Sequence, residues 1–235
     1  MMSVVVRETA SLSVQQRKLA SLIDYTLLRP EATRAQVEQF CDEALHWGFA
    51  VACVYPAWVP LAVAKLRSSR VKVGTVAGFP FGATSTSAKQ AEAEAAILLG
   101  AEEIDMVINV GAMRSGDLER VESDIRGVVE VCHARCAILK VILENAFLSD
   151  QEKISACRSA KQAGADFVKT STGFAPSGAT VADVRLMRET VGPEMGVKAA
   201  GGIRTLADAL SMLHAGANRL GTSAGVAILR EAAHP

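Results

Sequence analysis

The chain has 235 residues, half of them hydrophobic but only 5% aromatic, and its 25 Lys plus Arg match its 25 Asp plus Glu. That length suits one α/β barrel as well as two small domains, and an interior of Ala, Val, Leu and Gly suits parallel strands under helices rather than a β-sandwich. A formal net charge of zero, the lack of a basic stripe and the lack of an apolar run near the ~20 residues of a membrane span argue against nucleic acid or a membrane as main partner.

The first thirteen residues hold only a three-valine run, too short for a signal-peptide core. A cytoplasmic location is therefore expected. A short helical extension is expected ahead of the first strand, predicted at 22–27. A helix over 33–47 follows, stopped by Gly48, then a strand at 50–54 and a helix over 57–68. The strand at 72–77 leads to a helix over 87–99, stopped by Gly100. The next strand, 103–109, precedes a helix over 117–134. A strand at 138–143 and a helix over 149–163 follow, then a strand at 166–170 and a helix over 180–190. The strand at 196–199, a helix over 205–214, the strand at 219–222 and a helix over 223–233 complete the chain. Asp117, Ser149 and Thr205 are predicted N-caps.

One phrase recurs where helix gives way to strand: Leu99-Gly100-Ala101, Ala163-Gly164-Ala165 and Ala215-Gly216-Ala217. Glycine ends the helix there because the chain must turn through positive φ. Eight βα units without a linker predict a closed (β/α)₈ barrel, a TIM barrel, as a single domain over 1–235. An open doubly wound sheet would carry a glycine-rich first turn. Here that turn reads Asp24-Tyr25-Thr26-Leu27-Leu28-Arg29-Pro30. The five cysteines lack a C-x-x-C and a completing His or acid, so they are expected as free buried thiols with no metal.

Charges lie where a core should be. Lys140, Lys169 and Lys198 sit well into apolar strands. Lys72 opens its strand and is expected at the solvated bottom of the barrel. Asp105 on the fourth strand, Asp24 on the first and Glu144 ending the fifth are the acidic counterparts. Burying one such charge alone costs several kcal/mol, so the lysines and acids are expected to converge at the barrel top. A structural ion-pair cluster is one reading of this group. The other is chemical: desolvation and a neighbouring ammonium both lower a lysine pKa from about 10.4, leaving a neutral nucleophile. Asp105 can then shuttle protons. The residues alone do not rank the three lysines.

A second signal follows strands seven and eight. Gly201, Gly202 and Arg204 come after the first of these, and Gly221 and Ser223 after the second. Barrels often bind phosphate there through backbone N–H groups. Gly173 can add another amide.

With these residues in place, the sequence resembles the deoxyribose-phosphate aldolase family from Ile23 to about Gly225. The matching stretches are IDYTLLRPEAT (from Ile23), VACVYPAWVPLA (Val51), GTVAGFPFGATST (Gly74), AEEIDMVINVGAMRSGD (Ala101), LKVILE (Leu139), GADFVKTSTGF (Gly164) and VKAAGGIRT (Val197). The resemblance implies reversible cleavage of 2-deoxy-D-ribose 5-phosphate to acetaldehyde and D-glyceraldehyde 3-phosphate. It implies that Lys169 carries the Schiff base, that Lys198 lowers its pKa and that Asp105 is the acid/base, with no cofactor. It also assigns phosphate binding to the Gly201–Gly202 and Gly221–Ser223 loops. Tyr25, Tyr55 and Asn145 depart from the residues many members carry, and the tail lacks the C-terminal Tyr of some. Two alternatives stay open: another class I aldolase acting on a phosphorylated sugar or keto acid, and a non-catalytic sugar-phosphate-binding barrel. The expected partners are small molecules, with a homodimer or higher homo-oligomer as the expected assembly.

Overall fold

The computed structural model describes residues 12–233. The valine run and the last two residues of the tail lie outside them. Eight parallel strands close into a barrel in sequence order. They are β1 (Ile23–Leu27), β2 (Val51–Val54), β3 (Lys72–Ala77), β4 (Glu103–Val107), β5 (Ile138–Ile142), β6 (Phe167–Lys169), β7 (Gly196–Ala200) and β8 (Arg219–Thr222). The helices are α1 (Val14–Ala20), α2 (Arg34–Trp47), α3 (Val59–Leu66), α4 (Thr86–Leu98), α5 (Val110–Arg114), α6 (Leu118–His133), α7 (Asp150–Gln162), α8 (Val181–Val191), α9 (Leu206–His214) and α10 (Gly225–Glu231). None of the described helices is long and apolar enough to cross a membrane.

Side-chain chemistry sets the helix starts. Thr33, Ser149 and Thr205 each accept from the backbone three residues on, and the residue there returns a bond, closing a capping box. Asp117 caps α6 in the same sense, accepting from the Arg120 N–H. The expected N-caps are therefore all present, and α1 is the short extension before β1.

Helix ends at the barrel bottom repeat one turn. Gly100, Gly164 and Gly216 have φ of 103°, 87° and 110°. The following Ala101, Ala165 and Ala217 each donate to the carbonyl five residues back, at 3.0 to 3.1 Å. This is the Schellman arrangement. The α6–β5 connection makes the same turn with Cys136 at the positive-φ position (57°), and Ala137 donates to Cys132 at 2.9 Å. Cys136 is exposed, whereas the other four thiols are buried as expected.

Three segments differ from expectation by more than one residue at an end. The segment 103–109 is strand only to Val107, because the Asn109 side chain caps the five-residue α5. The segment 57–68 splits into a 3₁₀ turn (Pro56–Trp58) and α3. The last helix begins at Gly225, leaving Ser223 in the loop.

Alternation divides each strand between two environments. Ile23 and Tyr25, Ile104 and Met106, Leu139 and Val141, and Val197 and Ala199 join the continuous core beneath the helices. Each large aliphatic buried there contributes about 1.5–3 kcal/mol. The opposite parity faces the barrel interior. There Leu28, Val51, Cys53 and Val76 form a separate apolar group. Charged side chains on β1, β4, β5, β6 and β7 fill much of the rest of that interior.

Candidate active site

Asp105 is the hub of the interior. Register pairs it with Lys140 on β5, and Lys169 on β6 with Lys198 on β7. Lys140 Nζ donates to Asp105 Oδ1 at 2.9 Å. Lys169 Nζ and Lys198 Nζ both donate to Oδ2, each at 2.8 Å. Lys198 also meets Asp24 Oδ2 at 2.5 Å. All five side chains are at most 4% exposed.

The set extends below the expected top-face cluster. Lys140 Nζ reaches Glu103 Oε2 at 2.7 Å. Arg219 bridges Asp24 Oδ1 at 2.7 Å and Glu103 Oε2 at 3.1 Å. Glu103 and Arg219 were not among the expected site residues, because each opens its strand as Lys72 does. Parity was the available signal: Glu103 shares a face with Asp105, and Arg219 with Gly221. Lys72 is half-exposed and 3.8 Å from Glu103, at the bottom as expected.

Electrostatics separate the three lysines. Burial pushes the Lys169 amine below its ordinary pKa, and the Lys198 charge adds to this against the pull of Asp105. Burial would also lower Lys198, but Asp105 and Asp24 outweigh it and hold that amine above its usual value. Lys140 is held well above, because Asp105, Asp24 and Glu103 all overcome its burial. Burial alone would raise the two aspartates. The lysines reverse this at Asp105, which sits well below the carboxylate range. Lys198, Lys140 and Arg219 bring Asp24 down to about 2.

Glu144 does not join Lys140 and Asp24, contrary to expectation. The chain turns through φ 56° there, past the end of β5, which breaks the inward parity. Its carboxylate instead accepts from the Thr172 backbone N–H at 3.2 Å and bonds the Thr172 hydroxyl. Burial raises its pKa, opposed by these bonds. Cys53 is a buried thiol on the inward face. Burial and the Asp105 charge push it up to about 11.

Lys169 opens into a cavity of about 210 Å³ on the C-terminal side of the barrel. Gly173, Gly201, Gly202, Arg204, Gly221 and Ser223 all line it, so the expected phosphate residues share one space with the lysine. Gly201 and Gly202 have φ of 86° and 80°, which favours glycine. A Cβ at Gly221 would stand 2.9 Å from Lys198 Cε, so its absence makes room for that side chain. Thr26 and Thr172 line the cavity too and were not expected.

The departures lie apart from the amines. Tyr25 stacks between Phe40 and Phe49 and donates to Glu43 at 2.7 Å. Tyr55 packs edge-on against Phe79. Asn145 is buried and donates to Met187 Sδ at 3.3 Å. Among the described residues, no three His, Cys, Asp or Glu side chains are grouped to hold a metal ion.

Comparison with known proteins agrees with this geometry. A deoxyribose-phosphate aldolase from Streptococcus pneumoniae is 59% identical over 213 residues, covering 91% of this chain and 96% of the relative. One from Thermococcus kodakarensis is 55% identical over 221 residues, covering 93% and 99%. The tetrameric deoxyribose phosphate aldolase of Aeropyrum pernix superposes with a TM-score of 0.87 at 35% identity, covering 93% of this chain and 92% of that one. The sequence model of the DeoC/LacD family aldolases matches residues 18–234. With that span and these relatives, the chain belongs to the DeoC/LacD family of aldolases.

Proposed function

We propose that this enzyme cleaves 2-deoxy-D-ribose 5-phosphate reversibly to acetaldehyde and D-glyceraldehyde 3-phosphate through an imine on Lys169. The observation that carries the reading is a single carboxylate oxygen, Asp105 Oδ2, shared at 2.8 Å by a lysine with lowered pKa and one with raised pKa. The neutral Lys169 amine adds to the substrate aldehyde carbon, and loss of water leaves the protonated imine. The C3 hydroxyl then gives up its proton, the C2–C3 bond breaks, and its electron pair moves into the imine to leave an enamine. Glyceraldehyde phosphate departs. Protonation at C2 and hydrolysis release acetaldehyde and regenerate the amine.

Lys198 stays charged in this scheme and keeps Lys169 neutral. Asp105 relays protons, through water where it cannot reach the substrate directly. Lys140 and Asp24 support them in the barrel interior. The glycine amides of residues 173, 201, 202 and 221 and the hydroxyl of Ser223 take the phosphate, with Arg204 adding charge at the rim. The relatives' names and the single cavity holding both lysine and glycine loops support this assignment over a keto-acid substrate. The tetrameric relative supports a homo-oligomeric assembly.

The experiment is borohydride reduction in the presence of acetaldehyde, followed by peptide mapping. A reduced adduct on Lys169 is the expected result. An adduct on Lys140 or Lys198 alone overturns the assignment.

A further inference from the structure

The barrel interior holds three buried carboxylates, Asp24, Glu103 and Asp105, and four basic groups, the buried Lys140, Lys169 and Lys198 and the part-buried Arg219. Three cations therefore balance the three anions, and one base is in surplus. We propose that Arg219, on the floor of the barrel, is the positioning residue that makes Lys169 the surplus base. It neutralises Asp24 and Glu103 from below, so that Lys169 can remain an uncharged amine. This inference rests on the reading of Lys169 as the nucleophile.

The geometry is specific. Arg219 Nη1 bonds Asp24 Oδ1 at 2.7 Å and Glu103 Oε2 at 3.1 Å. The other oxygen of Asp24 holds Lys198, and Glu103 holds Lys140 at 2.7 Å. Without the guanidinium, two ammoniums would face three carboxylates. The nearest proton acceptor left to restore neutrality is Lys169, which already lies 2.8 Å from Asp105. Phe167, at the base of β6, holds the guanidinium in place, with the Arg219 Cζ 5.3 Å from the ring centroid. Gly196 on the next strand has no Cβ because one would lie 2.1 Å from that ring.

The charged and titratable groups facing Lys169 come from the strands around it. β1 contributes Asp24, β2 the protonated thiol of Cys53, β4 Glu103 and Asp105, β5 Lys140, β7 Lys198 and β8 Arg219. β3 contributes only Lys72, whose half-exposed charge water screens. Glu144 beyond β5 bonds Thr172 and makes no ion pair among the described residues; it acts on Lys169 only through space, and in the same way in every variant of the test below. Arg219 lies two strands from Lys169, on the order of 10 Å. At an effective dielectric near 20, one charge at that range moves a pKa by on the order of one unit.

The test is the pH dependence of kcat/KM, whose acid limb reads deprotonation of the nucleophile in the free enzyme. Arg219→Gln is expected to move the limb up by about one pH unit, whereas Arg219→Lys leaves it near the parent value. Glu103→Gln removes an anion and is expected to move the limb down. The double variant Arg219→Gln/Glu103→Gln is expected to return it toward the parent. A general packing defect cannot produce opposite shifts that cancel. The inference is overturned if the limbs do not move, if both single variants lose activity equally at every pH, or if Arg219→Lys shifts as far as Arg219→Gln. If Arg219→Gln does not fold, the downward shift of Glu103→Gln decides alone. Adduct mapping on the parent enzyme separates the two claims: an adduct away from Lys169 defeats the nucleophile assignment, while an adduct on Lys169 with unmoved limbs defeats only this inference.

Discussion

Lys169 and Lys198 are register partners on adjacent strands, and both amines donate to the same oxygen of Asp105 at 2.8 Å. Their pKa values move apart although they share a partner. Lys198 has Asp24 as a second carboxylate and Lys169 has none. One extra ion pair thus decides which lysine is the cation.

Removing the nucleophile should leave the barrel standing. Lys169→Arg keeps an N–H donor beside Asp105 but cannot form an imine. Turnover is expected to fall to background with the circular dichroism spectrum unchanged; residual turnover near the parent rate would exclude the imine at this position. Activity of the parent enzyme is expected to survive EDTA, checked in a coupled assay on deoxyribose 5-phosphate.

Asp105→Asn removes the hub. A loss of kcat/KM on the order of 10²–10⁴-fold is expected from the missing proton relay. Steady-state kinetics across pH check it, because loss of the carboxylate also leaves three amines without their shared partner.

The Lys198 charge lowers the Lys169 pKa. In Lys198→Met that repulsion is gone, and the Lys169 pKa rises toward its ordinary value. Neutral amine is then available only at higher pH, so borohydride trapping with acetaldehyde should fall at neutral pH and recover as pH rises. Trapping efficiency measured from pH 6 to 10 checks the direction (the range is roughly one that brackets a depressed lysine).

Much of this was legible in the sequence. The strands and caps followed from turn glycines and from the Ser, Thr and Asp before each apolar run. Lys140, Lys169, Lys198 and Asp105 stood out because apolar strands seldom carry charge. Arg219 and Glu103 did not, because a charge that opens a strand reads as solvated. The closed barrel instead folds both inward, and their partners come from β1, β5 and one another, more than thirty residues away. Glu144 failed for the opposite reason: parity counts only while the strand lasts, and the chain turns through positive φ there. The family resemblance, rather than position, ranked the lysines.

The phosphate assignment is checked by comparing substrates. Gly202→Ala and Ser223→Val place methyl groups at the cavity wall, and the first also strains a φ of 80°. KM for deoxyribose 5-phosphate is expected to rise about tenfold or more, the scale of one lost charge-assisted hydrogen bond. KM for free deoxyribose should change far less. Equal changes would remove phosphate from this cavity.

Acid stability follows from Asp24. Its folded-state pKa is near 2 against an ordinary 3.8. The native state therefore holds fewer protons than the unfolded chain between those values. The stability this carboxylate supplies is complete above about pH 4 and is lost as pH falls toward 2. Asp24→Asn leaves Lys198 and Arg219 undercompensated and should cost about 3–5 kcal/mol at neutral pH. Urea titrations at pH 7 and pH 3 should show the variant's deficit shrinking at the lower pH.

The turns that end the helices at the bottom of the barrel repeat, while the loops at its top do not. Cys136 is the exception within the repeat, and Cys136→Gly should raise stability by about 1 kcal/mol by removing the Cβ from a left-handed position. The larger consequence concerns what the molecule can become. At one end the helices return to the strands through an interchangeable turn. The other end carries the loops that line the cavity beside Lys169. Changes in acceptor preference can therefore accumulate at one end without reopening the question of whether the chain folds, and selection for new aldehydes has a surface on which to work almost independently of selection for stability.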